Sequence, residues 1–545
     1  MTMLPRGKIL SEVLAETVAA YPHNDAYVDP DSRETWQSLA RKVDLTAAAL
    51  WKLGVRKGDH VAVMLGNSVQ WLQTFFACAR IGAVTVPVNT RFKTEELAFC
   101  LKQAQAKAIV LTEQFLGIDF TALLSDVEPA LAGTLPGDNL PRLAMALMFD
   151  SQAVPAGATD FDRVIADVTD NDVNACYAQC GRVDPDDILL IQYTSGTTSF
   201  PKGVMLTHDN MLSDAYAVSL RMGITSDDRY FSIRPFFHVA GSTLSVLVSL
   251  TTGCCLLTLP KFDVAQALSL LEQEKCTLTS GNDTIFLMLL GHPDFDPSKL
   301  HLRGGWAAAG PEVMQKIHDQ MQVPNLCNAY GLSEASPNVV MSSWDDPLQL
   351  RTEGWALPHD GVQVRVVDQN TGEISPMGEP GEIQVKGWSV MRGYYNMPDV
   401  TAKTFTDDGW LKTGDLGKMN QEGRLKMVGR LKDMFRVGGE NVAPTEVEGF
   451  ILMHEAIELA QVVGVPDDRL GEVPAAFVIL KKGRRCTSDE LIAWCKPRIS
   501  NFKVPRYVRF VDSFDEIGMT GSSKVQKNKL RAYAINALGL KESGK

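Results

Sequence analysis

Hydroxyls, glycines and a lysine crowd into Tyr193-Thr-Ser-Gly-Thr-Thr-Ser-Phe-Pro-Lys202-Gly203, directly after the apolar run 188–191. Exposed N–H and O–H donors at this density can wrap phosphate oxygens while the lysine adds charge. Thr194, Ser195, Gly196, Thr197, Thr198 and Lys202 are therefore candidate phosphate ligands, although a polar turn after a strand has the same composition. The order Gly-x4-Gly-Lys-Ser/Thr is absent, and so is Gly-x-Gly-x-x-Gly, which sets aside a Walker loop and a dinucleotide fingerprint. In Asn328-Ala329-Tyr330-Gly331-Leu-Ser333-Glu334 an aromatic face that can stack a purine stands four residues before a carboxylate. That carboxylate could hold Mg²⁺ with nucleotide phosphates completing the shell. Further along, Asp415 in Thr413-Gly-Asp415, Arg430 after Gly429, and Lys524 in Thr520-Gly-Ser-Ser-Lys524 are ionisable residues that surface charge alone would also explain.

These segments need a scaffold. Residues 10–18 repeat their apolar positions at helical spacing. From 35 to 89 amphipathic helices alternate with short apolar strands at 61–65 and 83–88, a rhythm that predicts parallel β-α-β layers. The Ala-, Gly- and Pro-rich stretch 132–159 reads as a surface excursion, and the β-α pattern resumes at Ile188. Between 361 and 429, Val-Gln-Val-Arg-Val-Val-Asp, Gly-Glu-Ile-Gln-Val-Lys-Gly and Gly-Arg-Leu-Lys-Met-Val-Gly predict strands and turns. Residues 445–457 read as a helix, and Asn282 and Asp283 both as caps of a helix starting near Thr284, Asp283 being a good N-cap type. The fold class expected is α/β: an N-terminal domain, 1–431, of layered β-α sheets with a β-barrel-like subdomain at about 346–431. A small mobile α+β domain, 432–545, follows a boundary at Lys432.

At 545 residues the chain exceeds one hydrophobic core, and 45% hydrophobic with 22% charged residues is ordinary globular composition. A formal charge of −12 argues against a nucleic-acid surface, which needs clustered Lys and Arg. The ten cysteines show neither zinc-site nor disulfide spacing, and no apolar run reaches the roughly 18 residues of a membrane span. A cytoplasmic protein without integral membrane association is expected, and a homodimer is compatible with this composition.

Taken in order, these segments resemble the acyl-adenylate-forming superfamily of acyl-CoA synthetases, aryl-CoA ligases, luciferases and peptide-synthetase adenylation domains. The likeness runs from Thr35-Trp36 and Gly54-Val-Arg-Lys-Gly58-Asp59 to Pro444-Thr-Glu446-Val-Glu448 and Lys524. It implies an ATP-dependent carboxylic acid:CoA ligase working through an acyl-adenylate, with Mg²⁺ and coenzyme A. In that reading 194–202 clasps the phosphates and Ser333 touches the α-phosphate. Glu334 binds Mg²⁺. Tyr330, with Asn328, Ala329 and Gly331, stacks adenine against Ala309-Gly310-Pro311, while Asp415 and Arg430 hold the ribose. Lys524 is the catalytic side chain that stabilises charge as pyrophosphate leaves. Rotation about Lys432 then replaces it with the turn at Gly438-Gly439, beside which pantetheine passes.

His238, Val239 and Gly241 in Pro235-Phe-Phe-His238-Val-Ala-Gly241, with Asn282, are implied in the acyl pocket. Phe237 or His238 stands where amino-acid-activating relatives carry an aspartate, which points to an acid without an α-amino group. Several positions depart from the family pattern: Ser199 and Ser523 where glycine is usual, Arg436 for lysine, and Ser280-Gly-Asn-Asp-Thr284 for Gly-Val-Pro. The other readings are an acyl-AMP synthetase serving a carrier protein, a luciferase-type oxidase, and a nucleotide-binding protein without turnover.

Overall fold

Runs such as Val-Ala-Val-Met and Ala-Ile-Val-Leu have no polar face, which suits strands covered on both sides. His60–Met64, Val84–Pro87, Ala108–Thr112 and Met145–Phe149 are such strands, mutually parallel and buried through nearly their whole length. The computed structural model describes residues 6–194, 201–438, 440–519 and 525–540. In it these strands form the middle of an eight-stranded sheet. One flank of that sheet is Ile188–Thr194, then antiparallel Lys202–Thr207, then Gly393–Tyr394. Because Lys202 lies opposite Thr194, the hairpin returns the lysine to the point where the hydroxyl-rich segment departs.

A nine-stranded sheet forms the second layer. Its central strands, Asn325–Gly331, Gly304–Ala308, Leu278–Asn282, Arg229–Ser232, Cys255–Leu257 and Asp25–Val28, are all parallel. Between the two sheets lie helices Trp36–Lys52, Val69–Ile81 and His208–Met222, whose apolar faces build one continuous core with Trp71, Phe75 and Phe236. Side-chain caps set where these helices begin: Thr35, Ser68 and Thr207 each accept a backbone N–H from the first turn. A second core covers the outer face of the eight-stranded sheet, and a third runs from the outer face of the nine-stranded sheet into the smaller C-terminal domain. This is the layered α/β architecture, with a larger N-terminal and a smaller C-terminal domain.

The segment 132–159 departs from expectation. It contains two strands, Met145–Phe149 and Ala158–Asp160, which extend the eight-stranded sheet. Flanking Gly and Pro residues masked the short buried run Met-Ala-Leu-Met-Phe. The helix expected over 445–457 spans only Pro444–Ile451, and Ile457 already opens a strand. Four antiparallel strands, Val362–Val367, Gly381–Gly387, Leu411–Met419 and Leu425–Arg430, form a sheet of their own. The short turn Leu431–Asp433, holding Lys432, leads from it into the five-stranded sheet of the C-terminal domain. That domain rests on helix Pro311–Gln320, where Lys316 Nζ donates to the Leu452 carbonyl at 3.0 Å.

Helix Leu10–Ala20 is pinned to the central layer by a buried imidazole: the Leu10 N–H donates to His208 Nδ1 at 3.1 Å. Burial lowers the His208 pKa from 6.5 to about 4. Keeping this ring neutral therefore contributes stability that is fully present above pH 6.5 and is lost as pH falls toward 4. The stability advantage of the native protein over His208→Gln should shrink by about 3 kcal/mol between pH 7 and pH 4. Urea midpoints across that range measure it, and a difference independent of pH would contradict the assignment.

Candidate active site

The parallel strands of the nine-stranded sheet end together, and their carboxyl ends are the expected place for a ligand crevice. Backbone groups there are tied by side chains from neighbouring strands. Asn328 Nδ2 donates to the Ala309 carbonyl at 3.0 Å, and Asp283 Oδ1 accepts the Gly310 N–H at 3.0 Å. The Asn328 N–H is held in turn by Ser342 Oγ at 2.8 Å. The turn Ala309-Gly310-Pro311 is thus fixed from two sides before helix Pro311–Gln320 begins. Burial raises the Asp283 carboxyl to about 6, against the lowering effect of the Gly310 N–H.

Tyr330 ends the strand Asn325–Gly331, and its hydroxyl donates to Asp415 Oδ2 at 2.9 Å. Asp415 is 5% exposed and faces Arg430 across the ladder between the strands Leu411–Met419 and Leu425–Arg430, with Arg430 Nε 3.4 Å from Oδ1. Burial, followed by the Asp415 charge, drives the Tyr330 phenol well above its usual range, so it stays a donor. The candidate adenine and ribose residues are therefore brought together from two different sheets.

On the other side, Glu334 lies in the short turn Ser333–Ala335, and its Oε1 accepts the Tyr394 hydroxyl at 2.8 Å. The same tyrosine ring lies under Lys202, whose Nζ is 4.9 Å from its centroid. Tyr394 pairs with Val204 on the strand that begins at Lys202, so strand register holds the cation and the carboxylate near one ring. No donor among the described residues occupies Glu334 Oε2. Nor is there a group of three or more His, Cys, Asp or Glu among them that could hold a metal. A single carboxylate of this kind fits Mg²⁺ bound chiefly by phosphate oxygens and water.

The acyl candidates are placed as follows. His238 caps the short helix Val239–Gly241, its Nδ1 accepting the Ala240 N–H at 3.2 Å. Val239 is buried in the core between the sheets. A Cβ on Gly241 would lie 2.1 Å from the Pro235 carbonyl oxygen, so only glycine lets the chain double back here. Asn282, rather than Asp283, is the N-cap of helix Asp283–Leu290: its Oδ1 accepts the Ile285 N–H at 3.1 Å while Asp283 turns to Gly310. Gly438 has φ +59° and donates its N–H to the Leu470 carbonyl at 2.9 Å. Ser195, Gly196, Thr197, Thr198, Gly439 and Lys524 lie outside the described residues. The sequence reading missed Tyr394, whose role depends on strand pairing across nearly 200 residues, and the bond from Asp283 to Gly310. No local motif announces either.

Comparison with known proteins identifies the family. The family profile described as AMP-binding enzyme matches residues 14–395, and that of the AMP-binding enzyme C-terminal domain matches 446–524. The putative acyl-CoA synthetase YngI of Bacillus subtilis (strain 168) is 39% identical over 549 residues, covering 98% of each chain. The 3-[(3aS,4S,7aS)-7a-methyl-1,5-dioxo-octahydro-1H-inden-4-yl]propanoyl:CoA ligase of Rhodococcus jostii (strain RHA1) is 38% identical, covering 93% of this chain and 95% of that relative. Among solved structures, ATP-bound MatB from Rhodopseudomonas palustris superposes with TM-score 0.81 at 26% identity over 97% of this chain and all of that one. The chain belongs to the AMP-binding enzyme family, in the acyl-CoA synthetase branch of the acyl-adenylate-forming superfamily.

One glycine tests the crevice. A Cβ on Gly331 would sit 1.8 Å from the Pro337 carbonyl oxygen, so Gly331→Ala must displace the turn that carries Tyr330 and Glu334. Misplacement of about 1 Å should lower kcat/KM for ATP by about a hundredfold. Initial-rate kinetics check this, and wild-type values would show that the turn does not position nucleotide.

Proposed function

We infer that the protein is an ATP-dependent carboxylic acid:CoA ligase that forms an acyl-adenylate and then a thioester. The observation that carries this reading is the convergence on residues 330–334 of Asp415 with Arg430 on one side and Lys202 with Tyr394 on the other. Adenine stacks on Tyr330 against the 309–311 turn, the ribose hydroxyls meet Asp415 and Arg430, and the phosphates lie along 194–202 with Ser333 at the α-phosphate. Glu334 Oε2 would hold Mg²⁺, which when bound would supply positive charge against the departing pyrophosphate.

In the first step a carboxylate oxygen of the acid attacks the α-phosphorus and pyrophosphate leaves. Lys524 stabilises the charge that develops between them. In the second step the thiol of coenzyme A, as thiolate, attacks the acyl carbonyl and AMP leaves with the bridging oxygen. The anhydride makes the carbonyl electrophilic, so no protein nucleophile is required. The turn at Lys432 is the hinge and the domain boundary, and Gly438 and Gly439 border the pantetheine path after rotation.

His238, Val239, Gly241 and Asn282 border the acyl space, and the substrate is an acid without an α-amino group, fatty or cyclic. The Rhodococcus relative is named for a bicyclic dioxo propanoyl group, and another relative, 35% identical, is a medium-chain acyl-CoA ligase of Rattus norvegicus. No helix among the described residues is long and apolar enough to cross a membrane. All ten cysteines are unpaired, which supports a reducing compartment, with the cytoplasm as the proposed site.

An acid panel assayed for pyrophosphate release, with and without coenzyme A, tests the overall reading. Lys524→Ala should slow adenylate formation by about a hundredfold or more while sparing thioester formation from supplied acyl-adenylate. Equal losses in both half-reactions would refute the role given to Lys524. Lys432→Pro, which fixes φ near −65°, should spare adenylation and block thioester formation. Wild-type thioester formation in that variant would place the hinge elsewhere.

A further inference from the structure

Arg234 stands immediately before the Pro235-Phe-Phe-His238 segment and is 7% exposed, yet its guanidinium has no hydrogen-bond or ion-pair partner among the described residues. Its Nε is buried and unsatisfied. The guanidinium lies over the Trp306 indole, 5.1 Å from the centroid, and the Trp306 Nε1–H donates to the Tyr230 hydroxyl at 2.8 Å. Burial lowers its pKa to about 10, with Tyr230 and Asp283 opposing, so it remains charged at neutral pH. A charge in such a place is costly unless something compensates it.

Its position relates it to the acyl space. Trp306 and Ala308 share one face of the strand Gly304–Ala308, as Ser280 and Asn282 share one face of the adjoining strand, with Ser280 opposite Trp306 and Asn282 opposite Ala308. Ala308 is exposed at the crevice, whereas Trp306 and Ser280 are buried. Trp306 with Arg234 over it therefore lies two residues, about 6.6 Å, below the crevice on the face that Asn282 and Ala308 open. The π-helical turn Ser242–Leu247, which follows His238 and Gly241, adds two fully buried hydroxyls without hydrogen-bond partners among the described residues, Ser242 Oγ and Thr243 Oγ1. Such turns often mark ligand sites. Unpaired donors and a cation beside the buried hydroxyls of Tyr230, Ser232, Ser245 and Ser280 describe a recognition surface for oxygen.

We propose that Arg234 is a specificity-determining residue that donates hydrogen bonds to a second acceptor oxygen, a ketone or a carboxylate, at the far end of the acid substrate. The proposal rests on the ligase reading and refines its substrate class. An acid reacting at the crevice extends its tail down the strand face, and the distal oxygen meets the guanidinium above Trp306.

The experiment compares octanoic, 7-oxooctanoic and octanedioic acids by pyrophosphate release in the native enzyme, Arg234→Met and Arg234→Lys, with KM for coenzyme A measured in parallel. The native enzyme should prefer an oxygenated acid over octanoic acid by about tenfold or more in kcat/KM. Which of the two it prefers distinguishes ketone from carboxylate. Arg234→Met should abolish the preference, Arg234→Lys should retain part of it, and KM for coenzyme A should not change. A native enzyme that takes octanoic acid as well as the others overturns the proposal without touching the ligase reading, and needs no variant. A preference that survives Arg234→Met, or a substitution that moves only KM for coenzyme A, overturns it as well. Failure of every acid to release pyrophosphate would remove both.

Discussion

A buried carboxylate must be compensated, and the way Asp415 is compensated organises the crevice. Its oxygens are taken by the Tyr330 hydroxyl from the nine-stranded sheet and by Arg430 from the adjoining four-stranded sheet. The two sheets, also joined by the antiparallel bridge between Ala356 and Leu425, are thereby tied together at the crevice. Arg430 is also the last residue before the Leu431–Asp433 turn, so the proposed ribose ligand and the proposed hinge are contiguous in the chain.

The phosphate side has a different construction. There the anchor is a neutral phenol: Tyr394 donates to Glu334 and offers its ring face to Lys202. Burial and the neighbouring Glu334 raise the Tyr394 pKa, which keeps it protonated and able to donate. The arrangement orients one carboxylate oxygen and leaves the other without a donor among the described residues. Together with the strand-end bonds from Asn328 and Asp283, it pre-positions donors before any nucleotide arrives, and electrostatic catalysis depends on such preorganisation.

Much of this was legible in the sequence because chemistry was concentrated in short segments. Tyr330, Glu334, Asp415, Arg430 and Lys202 each sit in a recognisable run, and the apolar periods around residues 61 and 84 announce the parallel strands that carry them. What escaped was long-range or competitive. Met145–Phe149 was hidden by the Gly and Pro residues flanking it. Asn282 and Asp283 both have the composition of helix caps, but only Asn282 takes that role, and the bond from Asp283 to Gly310 crosses to the next strand end, where no local pattern announces it. Arg234 is not set apart by its sequence neighbours, and only its burial over Trp306, with no hydrogen-bond or ion-pair partner for the guanidinium among the described residues, gives it meaning.

The central claim is that the acid is activated by attack on the α-phosphorus within this crevice. Its most direct test uses a carboxylic acid labelled with ¹⁸O in both carboxyl oxygens, turned over once with ATP and coenzyme A, followed by mass spectrometry of the products. The account predicts one ¹⁸O in AMP and one in the thioester carbonyl, with none in pyrophosphate. Label recovered in inorganic phosphate or pyrophosphate, with AMP unlabelled, would mean attack at another phosphorus and would contradict it.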